Sequence, residues 1–252
     1  MTANHNKPAT SQSVSLRGAT LRYGSAILFE NLTLNLLAGQ TTCLLGPSGV
    51  GKSSLLRLVA GLEPLTDPTK FTGPEGEPGK NIAYMAQQDL LLPWLSALEN
   101  VLLGWRLRGG PADKTRALGL LEAVGLSGHE NVRPAKLSGG MRQRVALART
   151  LMEDRPLVLM DEPFSSLDAI TRLNLQDLAA DLLHDKTVLV VTHDPMEAVR
   201  IADRILIMQG QPAELREVPV APTPPPRDPA SRAVLDAQGE LLRQLAANEV
   251  PG

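Results

Sequence analysis

Residues 137–168 read LSGGMRQRVALARTLMEDRPLVLMDEPFSSLD, and this stretch decides the fold of the chain. Its first part is a Ser-Gly-Gly turn, followed by apolar residues at helical spacing. Its second part is an apolar run that ends in two adjacent carboxylates, Asp161 and Glu162. A Gly-rich turn at a helix start and a carboxylate after a buried strand are both features with which proteins handle phosphate groups.

A further phosphate-handling feature lies upstream, at residues 46–53, where the chain reads GPSGVGKS. This is a complete P-loop, whose glycines let successive backbone N–H groups point at phosphate oxygens. It lies between a β-rich run, TTCLL, and a segment with helical spacing, so a Gly-rich turn without a ligand is the weaker alternative. Lys52 should reach the β- and γ-phosphates, and Ser53 should bind Mg²⁺. The predicted nucleotide-binding residues are Gly46, Pro47, Ser48, Gly49, Val50, Gly51, Lys52, Ser53 and Ser54.

The Ser-Gly-Gly turn consists of Ser138, Gly139 and Gly140. A chain with one nucleotide pocket needs only one glycine-rich turn that wraps the terminal phosphate. This chain has two such turns, the P-loop and the Ser-Gly-Gly turn. The simplest interpretation is that the second device serves the ATP of another subunit. Ser138 is also a favoured helix cap, and the capping role is compatible with phosphate binding.

Several polar side chains directly follow predicted strands, and the carboxyl ends of parallel strands meet at one sheet edge. There, Asp161 is expected to hold Mg²⁺, and Glu162 is expected to be the general base that polarises the attacking water. Gln87 follows the run IAYM and is predicted to act near Mg²⁺ and this water, although the adjacent Gln88 could be confused with it. His193 follows the run TVLVVT, where an imidazole can bond a γ-phosphate oxygen. By itself, a histidine at this position is more often structural.

Tyr23 lies in the polar turn RYG, where its ring can stack on adenine. The chain has few aromatic residues, with three Phe, two Trp and two Tyr. Packing of Tyr23 in the core is the alternative, and the residues alone leave both open.

Composition narrows the class of protein. The 252 residues can bury a substantial core as one domain, or as one domain with a subdomain. A net charge of −2 disfavours nucleic acid as a partner. The single cysteine, Cys43, lies in an apolar run and should be a small buried hydrophobe in a reducing compartment. We find neither a signal peptide nor an apolar run long enough to cross a bilayer, so any membrane role should come through a partner.

Periodicity and turn residues predict a mixed α/β chain. Residues 1–13 should be disordered, residues 14–37 should form short antiparallel strands, and residues 67–80 should be a surface excursion. Continuous apolar runs indicate strands buried on both faces, as in a parallel sheet. A Pro-rich linker and a terminal helix should occupy residues 218–252. The predicted strands are 41–45, 82–85, 157–160, 187–191 and 204–208, and the predicted helices are 53–62, 95–107, 114–124, 139–152, 173–183, 196–202 and 231–246.

The order of these motifs resembles the ATP-binding subunit of ABC transporters from about residue 14 to residue 208. The residues and motifs on which this resemblance rests are Tyr23, GPSGVGKS, Gln87, LSGGMRQR, LVLMDEP, SLD at 166–168 and THD at 192–194. The resemblance implies a P-loop NTPase domain over 14–217, with a RecA-like α/β core, an antiparallel β subdomain and a helical signature subdomain at about 88–155. It also implies a head-to-tail dimer with two ATP molecules, each between the P-loop of one copy and the Ser138 turn of the other. Asp168 would then contact the second copy's P-loop, and His193 would sense the γ-phosphate.

The signature departs from its usual form at one position. It most often reads LSGGQ, and here Met141 stands in place of the Gln. Because Ser138 and the Gly backbone make the phosphate contact, we expect ATP hydrolysis to survive this change.

Less specific sequence similarities indicate the subfamily of transporter ATPases. The segments DLLLPWLSALENV and DEPFSSLDAITR resemble importer ATPases of the nitrate, sulfonate and taurine group, and MAQQDLLLPW leans towards thiamine-pyrimidine precursor importers. The Pro93–Trp94 segment would meet a transmembrane permease on the cytoplasmic face of the membrane, with a solute-binding protein acting indirectly. A plain hydrophobic helix entry is its rival interpretation. The alternative function is a soluble ABC ATPase of DNA repair, translation or regulation, which the lack of a heptad run and of a second cassette disfavours.

Overall fold

The computed structural model of the protein describes residues 12–24, 26–66, 68–73, 76–111 and 113–247. Most of the predicted disorder at residues 1–13 therefore lies outside the described residues. The strands are β1 (Val14–Tyr23), β2 (Ala26–Leu36), β3 (Thr41–Leu45), β4 (Lys70–Thr72), β5 (Ile82–Met85), β6 (Leu157–Asp161), β7 (Thr187–Val191), β8 (Arg204–Gly210) and β9 (Ala213–Val218). The helices are α1 (Lys52–Val59), α2 (Ala97–Val101), α3 (Leu103–Leu107), α4 (Lys114–Ala123), α5 (Gly139–Met152), α6 (Ala169–Leu183), α7 (Pro195–Ile201) and α8 (Arg232–Ala246).

A six-stranded sheet with the order β5-β6-β7-β3-β8-β9 forms the centre of the molecule. Its first five strands are parallel, and β9 pairs antiparallel with β8. Every residue of β6 and β7 is buried, because helices and the second sheet cover both faces. The continuous apolar runs therefore predicted these strands correctly, and the mixed α/β class with a P-loop NTPase core is confirmed.

A three-stranded antiparallel sheet, β2-β1-β4, packs beside the central one. The sequence predicted β1 and β2 but not β4. That strand has only three residues, of which the two ends are exposed, so it shows no run of apolar residues. It exists because it pairs with residues 15–17 of β1, and long-range pairing of this kind leaves no local sequence signal.

The helices α2, α4 and α5 pack together, with α5 as their shared element. The helix predicted over 95–107 is in fact two short helices, interrupted at Leu102. The first of them starts at a capping box, in which Ser96 Oγ accepts from the Glu99 N–H at 3.2 Å and Glu99 Oε2 accepts from the Ser96 N–H at 2.8 Å.

The Pro-rich segment before α8 is free of helix and strand, as expected, yet it is firmly attached to the core. The side chain of Arg227 is 5% exposed and donates to the carbonyl oxygens of Val199 and Ala202, both at 2.7 Å. It also donates to the carbonyl oxygens of Thr223 and Ala221 within the segment. A buried guanidinium needs such partners for all its N–H groups, so the segment covers the end of α7 in a fixed path.

Cys43 is fully buried in β3, as predicted for a small hydrophobe. Over the described ranges, none of the helices combines the length and the apolar character that crossing a membrane requires.

Candidate functional site

The carboxyl edge of the central sheet gathers the predicted catalytic residues. The P-loop follows β3, and Gln87 follows β5. Asp161 is the last residue of β6, Glu162 comes directly after it, and His193 follows β7. Since β5, β6, β7 and β3 are neighbours in this order and parallel, their ends are adjacent in space. The structure thus brings together residues that lie more than a hundred positions apart in the chain.

All three glycines of the P-loop, Gly46, Gly49 and Gly51, have a positive φ, and Gly46 and Gly51 show most clearly why the path needs glycine. A Cβ on Gly46 would stand 2.1 Å from the Met208 carbonyl oxygen of β8, and its φ is 150°. Gly51, with φ 110°, turns the chain into α1. Both conformations favour glycine. The loop borders an open groove of about 470 Å³, lined by Leu28, Pro47, Ser48, Gly49, Val50, Gly210 and Gln211.

Lys52 lies at the start of α1 with its amine inside the loop. Its Nζ donates to the carbonyl oxygens of Gly46 and Pro47, each at 2.7 Å. Burial lowers the pKa of Lys52, and the negative charges of Glu162 and Asp161 partly oppose this shift. The amine is therefore held among oxygen ligands, close to two carboxylates.

Asp161 is buried, and its carboxylate faces the start of α1. Burial raises the pKa of Asp161, the Ser53 hydroxyl that bonds it lowers the pKa, and Glu162 adds a raising effect. Its Oδ1 atom is buried and has no hydrogen-bond partner. A buried carboxylate oxygen without a donor beside a serine hydroxyl suits a hard divalent cation, which prefers oxygen ligands.

Glu162 stands at the centre of the site. Its Oε2 accepts from Gln87 Nε2 at 3.1 Å, and its Oε1 lies 3.1 Å from His193 Nδ1. Glu162 has a φ of 49°, and its N–H donates to the Val191 carbonyl oxygen at 2.8 Å. A positive φ at a non-glycine residue is uncommon, and here the bond to β7 holds it.

Glu197 is a site residue that the sequence reasoning missed. It lies on α7, one turn after His193, and it is 4% exposed. Burial raises the pKa of Glu197 to about 8, Asp194 adds to the rise, and the bond to the Thr192 hydroxyl and the charge of Arg172 oppose it. The only sequence signal for burial of this carboxyl is its apolar neighbours Ala198 and Val199, which are buried beside it on α7.

The Ser-Gly-Gly turn and Asp168 begin two helices. Ser138 caps α5 and accepts from the Met141 N–H at 3.2 Å, while Asp168 caps α6 and accepts from the Thr171 N–H at 3.0 Å. The turn's Gly139 borders the same groove as Gln87, whose volume is about 390 Å³. The capping role expected for Ser138 is therefore present, and both residues are exposed on the surface.

Tyr23 is 51% exposed at the end of β1, so the alternative of core packing is wrong. Its hydroxyl donates to Glu63 Oε1 at 3.2 Å. Glu63 follows the C-terminal end of α1, whereas the P-loop joins its N-terminal end, and Tyr23 lines a groove with residues of β1 and of the segment after α1 rather than with the P-loop.

Fold and site together define a P-loop NTPase. The family model described as ABC transporter matches residues 29–165. A protein of Haemophilus influenzae described as an uncharacterized ABC transporter ATP-binding protein is 44% identical over 241 residues, which cover 95% of this chain and 99% of that protein. The chain belongs to the ABC transporter ATP-binding family, and it is an ATP hydrolase of that family.

Other relatives carry more specific names. The aliphatic sulfonates import ATP-binding protein SsuB of Burkholderia ambifaria is 42% identical over 95% of this chain and 74% of its own length. An SsuB protein of Paracoccus denitrificans is 41% identical over 94% of this chain and 95% of its own length. Two solved dimeric structures of the ATP-binding cassette MJ0796, one of them bound to ADP and Pi, are 31% identical to this chain. They superpose with TM-scores of 0.73 and 0.74, and each match covers 85% of this chain and 99% of the cassette.

The raised pKa of Glu197 predicts a specific pH dependence of stability. The folded protein keeps this proton up to about pH 8, whereas the unfolded chain loses it near the ordinary glutamate pKa of 4.5. The buried carboxyl therefore destabilises the fold increasingly as pH rises between these values, by up to about 1.4 kcal/mol per pH unit. Urea unfolding of the wild type and Glu197→Gln at pH 5, 6.5 and 8 should show the variant gaining stability relative to the wild type as pH rises. A constant difference between the two proteins would contradict the assignment.

Proposed function

We propose that this chain is the motor subunit of an ABC importer and that each of its ATP sites is built from two copies. The observation that carries the proposal is the arrangement at the sheet edge. Lys52, Asp161 and Glu162 are assembled within one copy, whereas the exposed Ser138 turn begins a different helix, α5. A second copy can supply that turn to the phosphates.

Phosphate binding is the role of the P-loop residues. A glycine-rich loop of this kind can point its N–H groups at phosphate oxygens, and the N-terminus of α1 adds its positive dipole end. Lys52 exchanges the Gly46 and Pro47 carbonyls for β- and γ-phosphate oxygens, which are stronger partners for an ammonium. We assign the remaining loop residues and Ser54 to the same phosphate contacts.

Ser53, Asp161 and Gln87 would hold Mg²⁺. The orphaned Oδ1 of Asp161 and its hydroxyl partner Ser53 fit this ion in chemistry and in position after the P-loop. When bound, Mg²⁺ neutralises charge on the phosphates. The residues of the chain then have to orient water and manage its proton.

Glu162 is the general base in this proposal. A carboxylate beside the γ-phosphate can accept a proton from the attacking water, provided that the water lies within hydrogen-bond reach. Gln87 donates a hydrogen bond to one oxygen of this carboxylate, and His193 Nδ1 lies 3.1 Å from the other. His193 then turns from Glu162 to a γ-phosphate oxygen and acts as the sensor. Both partners of Glu162 therefore position the base before hydrolysis and contact the water or phosphate during it.

The second copy contributes Ser138, Gly139 and Gly140 to the γ-phosphate, and its Asp168 contacts the P-loop. Both lie at exposed helix starts, as a contact between copies requires. The dimeric state named for the MJ0796 structures supports this arrangement. Met141 replaces the usual Gln, and in this proposal Ser138 and the glycine backbone make the phosphate contact without the side chain at position 141.

An apolar surface supports a permease as the partner. Leu90 and Trp94 are 58% and 64% exposed, next to the loop that carries Gln87. The buried Asn100 shapes this surface, since its side chain bonds the backbone of Leu92 and of Leu95. An ordered, exposed tryptophan and leucine in one surface point to a protein partner.

The same surface is tied to the signature helix α5. Arg149 donates to the carbonyl oxygens of Asp89 and Leu90 at 2.7 and 2.9 Å, and Arg142 pairs with the Asp89 carboxylate at 2.9 Å. A movement of α5 towards a second copy is therefore carried to the permease surface. We propose that α2–α5, within about 88–155, form the helical subdomain of a nucleotide-binding domain spanning 14–217.

We propose an aliphatic sulfonate as the transported solute. The relatives at 42% and 41% identity are named for aliphatic sulfonate import, which supports this class, to which taurine also belongs, over nitrate or a thiamine-pyrimidine precursor. The cargo would reach the permease through a periplasmic or surface solute-binding protein, with this chain peripheral on the cytoplasmic face. No nucleic-acid partner is proposed. The family and its import-named members do not favour the alternative of a non-transport ABC ATPase.

Substitution of the base tests the ATP site. Glu162→Gln should abolish ATP turnover, because an amide cannot take the proton, and should leave a dimer that ATP stabilises. Lys52→Ala should lose ATP affinity by at least about tenfold, the effect expected for a charged phosphate contact. Gel filtration with ATP separates the two outcomes. A Glu162→Gln protein that stays monomeric at high concentration with ATP would contradict the proposal.

Growth on defined sulfur sources tests the cargo. Cells that lack this gene should lose growth on an aliphatic sulfonate while retaining growth on sulfate, because uptake of the sulfonate alone needs this motor. Complementation with the wild type should restore growth, and Glu162→Gln should not. Unimpaired sulfonate uptake in the deletion strain, measured with a labelled sulfonate, would rule out this solute and leave the ATPase assignment standing.

A further inference from the structure

The side chain of Arg172 joins two segments of the site that the ATP mechanism treats separately. It lies in the first turn of α6, and its NH1 donates to Asp194 Oδ2 at 3.0 Å. Its NH2 donates to the Leu167 carbonyl oxygen at 3.1 Å. Leu167 directly precedes Asp168, and Asp194 directly follows His193.

Asp194 is fixed by bonds other than the one to Arg172. Its Oδ1 accepts from the Met196 N–H at 2.9 Å and caps α7, which leaves Oδ2 for the guanidinium. Its own N–H donates to the Thr192 hydroxyl at 3.1 Å. Asp194 thus fixes the backbone next to His193, and Asp194 is itself bonded by Arg172.

The other end of the bridge is fixed in the same way. The Arg172 N–H donates to the Asp168 carbonyl oxygen at 2.9 Å, in the first turn of α6. Arg172 therefore bonds the backbone on both sides of the Leu167–Asp168 peptide, through its side chain at Leu167 and its own N–H at Asp168. These two bonds fix the backbone from which the Asp168 side chain projects. A planar guanidinium has donors in a rigid fork, so it can hold both partners only in one relative position.

The geometry points to Arg172 as a positioning residue that couples Asp168 to His193. This inference rests on the proposed function, in which Asp168 meets a second copy and His193 meets the γ-phosphate. When a second copy displaces Asp168, the Leu167 carbonyl moves, and Arg172 carries this displacement to Asp194 and so to His193. Assembly of the dimer and readiness of the phosphate sensor thereby become one event.

Two substitutions open the bridge without removing a proposed catalytic group. Arg172→Met keeps the aliphatic stem and removes both donors, and Asp194→Asn keeps an oxygen for the cap of α7 and removes the charge that Arg172 bonds. Arg232→Met is the matched control, because Arg232 forms an exposed pair with Asp236 on α8, where its side chain is 88% exposed. ATP turnover, ATP affinity of the isolated chain and hydrogen exchange of residues 165–168 and 192–197 are measured for each variant and for the double variant.

We expect Arg172→Met and Asp194→Asn each to lower turnover at least tenfold, with ATP affinity within twofold of the wild type. The double variant should be no slower than the slower single variant, because both substitutions break the same link. Hydrogen exchange should rise in both segments together, and Arg232→Met should change none of these properties.

The inference is overturned if Arg172→Met turns over ATP like the control, if the two losses multiply in the double variant, or if exchange rises in one segment alone. An increase of exchange in both segments with unchanged turnover would make Arg172 a purely structural residue and would also overturn it. A wild-type chain without ATP turnover would contradict the proposed function instead. That outcome is distinct, because failure of the inference alone leaves the wild type active.

Discussion

The Glu162 carboxylate, held between Gln87 and His193, is the contact on which the site depends. These residues follow β6, β5 and β7, three adjacent parallel strands. The sheet order is therefore a requirement of the site, since a different order would separate Glu162 from Gln87 and His193. The strand ends carry this arrangement with little freedom, because β6 and β7 are buried along their whole length.

The charged side chains of the site, Lys52, Asp161 and Glu162, lie close enough to influence one another. Lys52 is bonded to the carbonyls of its own loop and lies near two carboxylates, while Asp161 leaves one buried oxygen without a donor. Burial lowers the pKa of Lys52 and raises the pKa of Asp161, and each charge opposes the shift of the other. Such a site gains most from a ligand that brings phosphate oxygens to the lysine and a cation to the aspartate.

Sequence patterns predicted the central strands and the edge at which the polar residues gather, because continuous apolar runs and the P-loop spacing are local signals. They did not predict β4 or β9, which are defined by their pairing with β1 and β8. They also gave one helix over 95–107 where the chain is interrupted at Leu102. The predicted linker before α8 is held by Arg227, whose partners lie on α7 and in the segment itself. Long-range contacts of this kind, including the Arg172 bridge, have no signature in composition or period.

The central claim is that each ATP site is shared between two copies, and mixing two inactive variants tests it most directly. Lys52→Ala removes the lysine of the P-loop, and Ser138→Arg blocks the Ser-Gly-Gly turn. Because each ATP site would use one P-loop and one turn, both sites are defective in a homodimer of either variant. In a head-to-tail heterodimer both defects fall on one site and the other site is intact. Equal mixing should therefore restore ATP turnover to about a quarter of the wild-type rate, since about half of the dimers are mixed and each has one intact site. A mixture as inactive as its components, with heterodimers demonstrated, would contradict the claim.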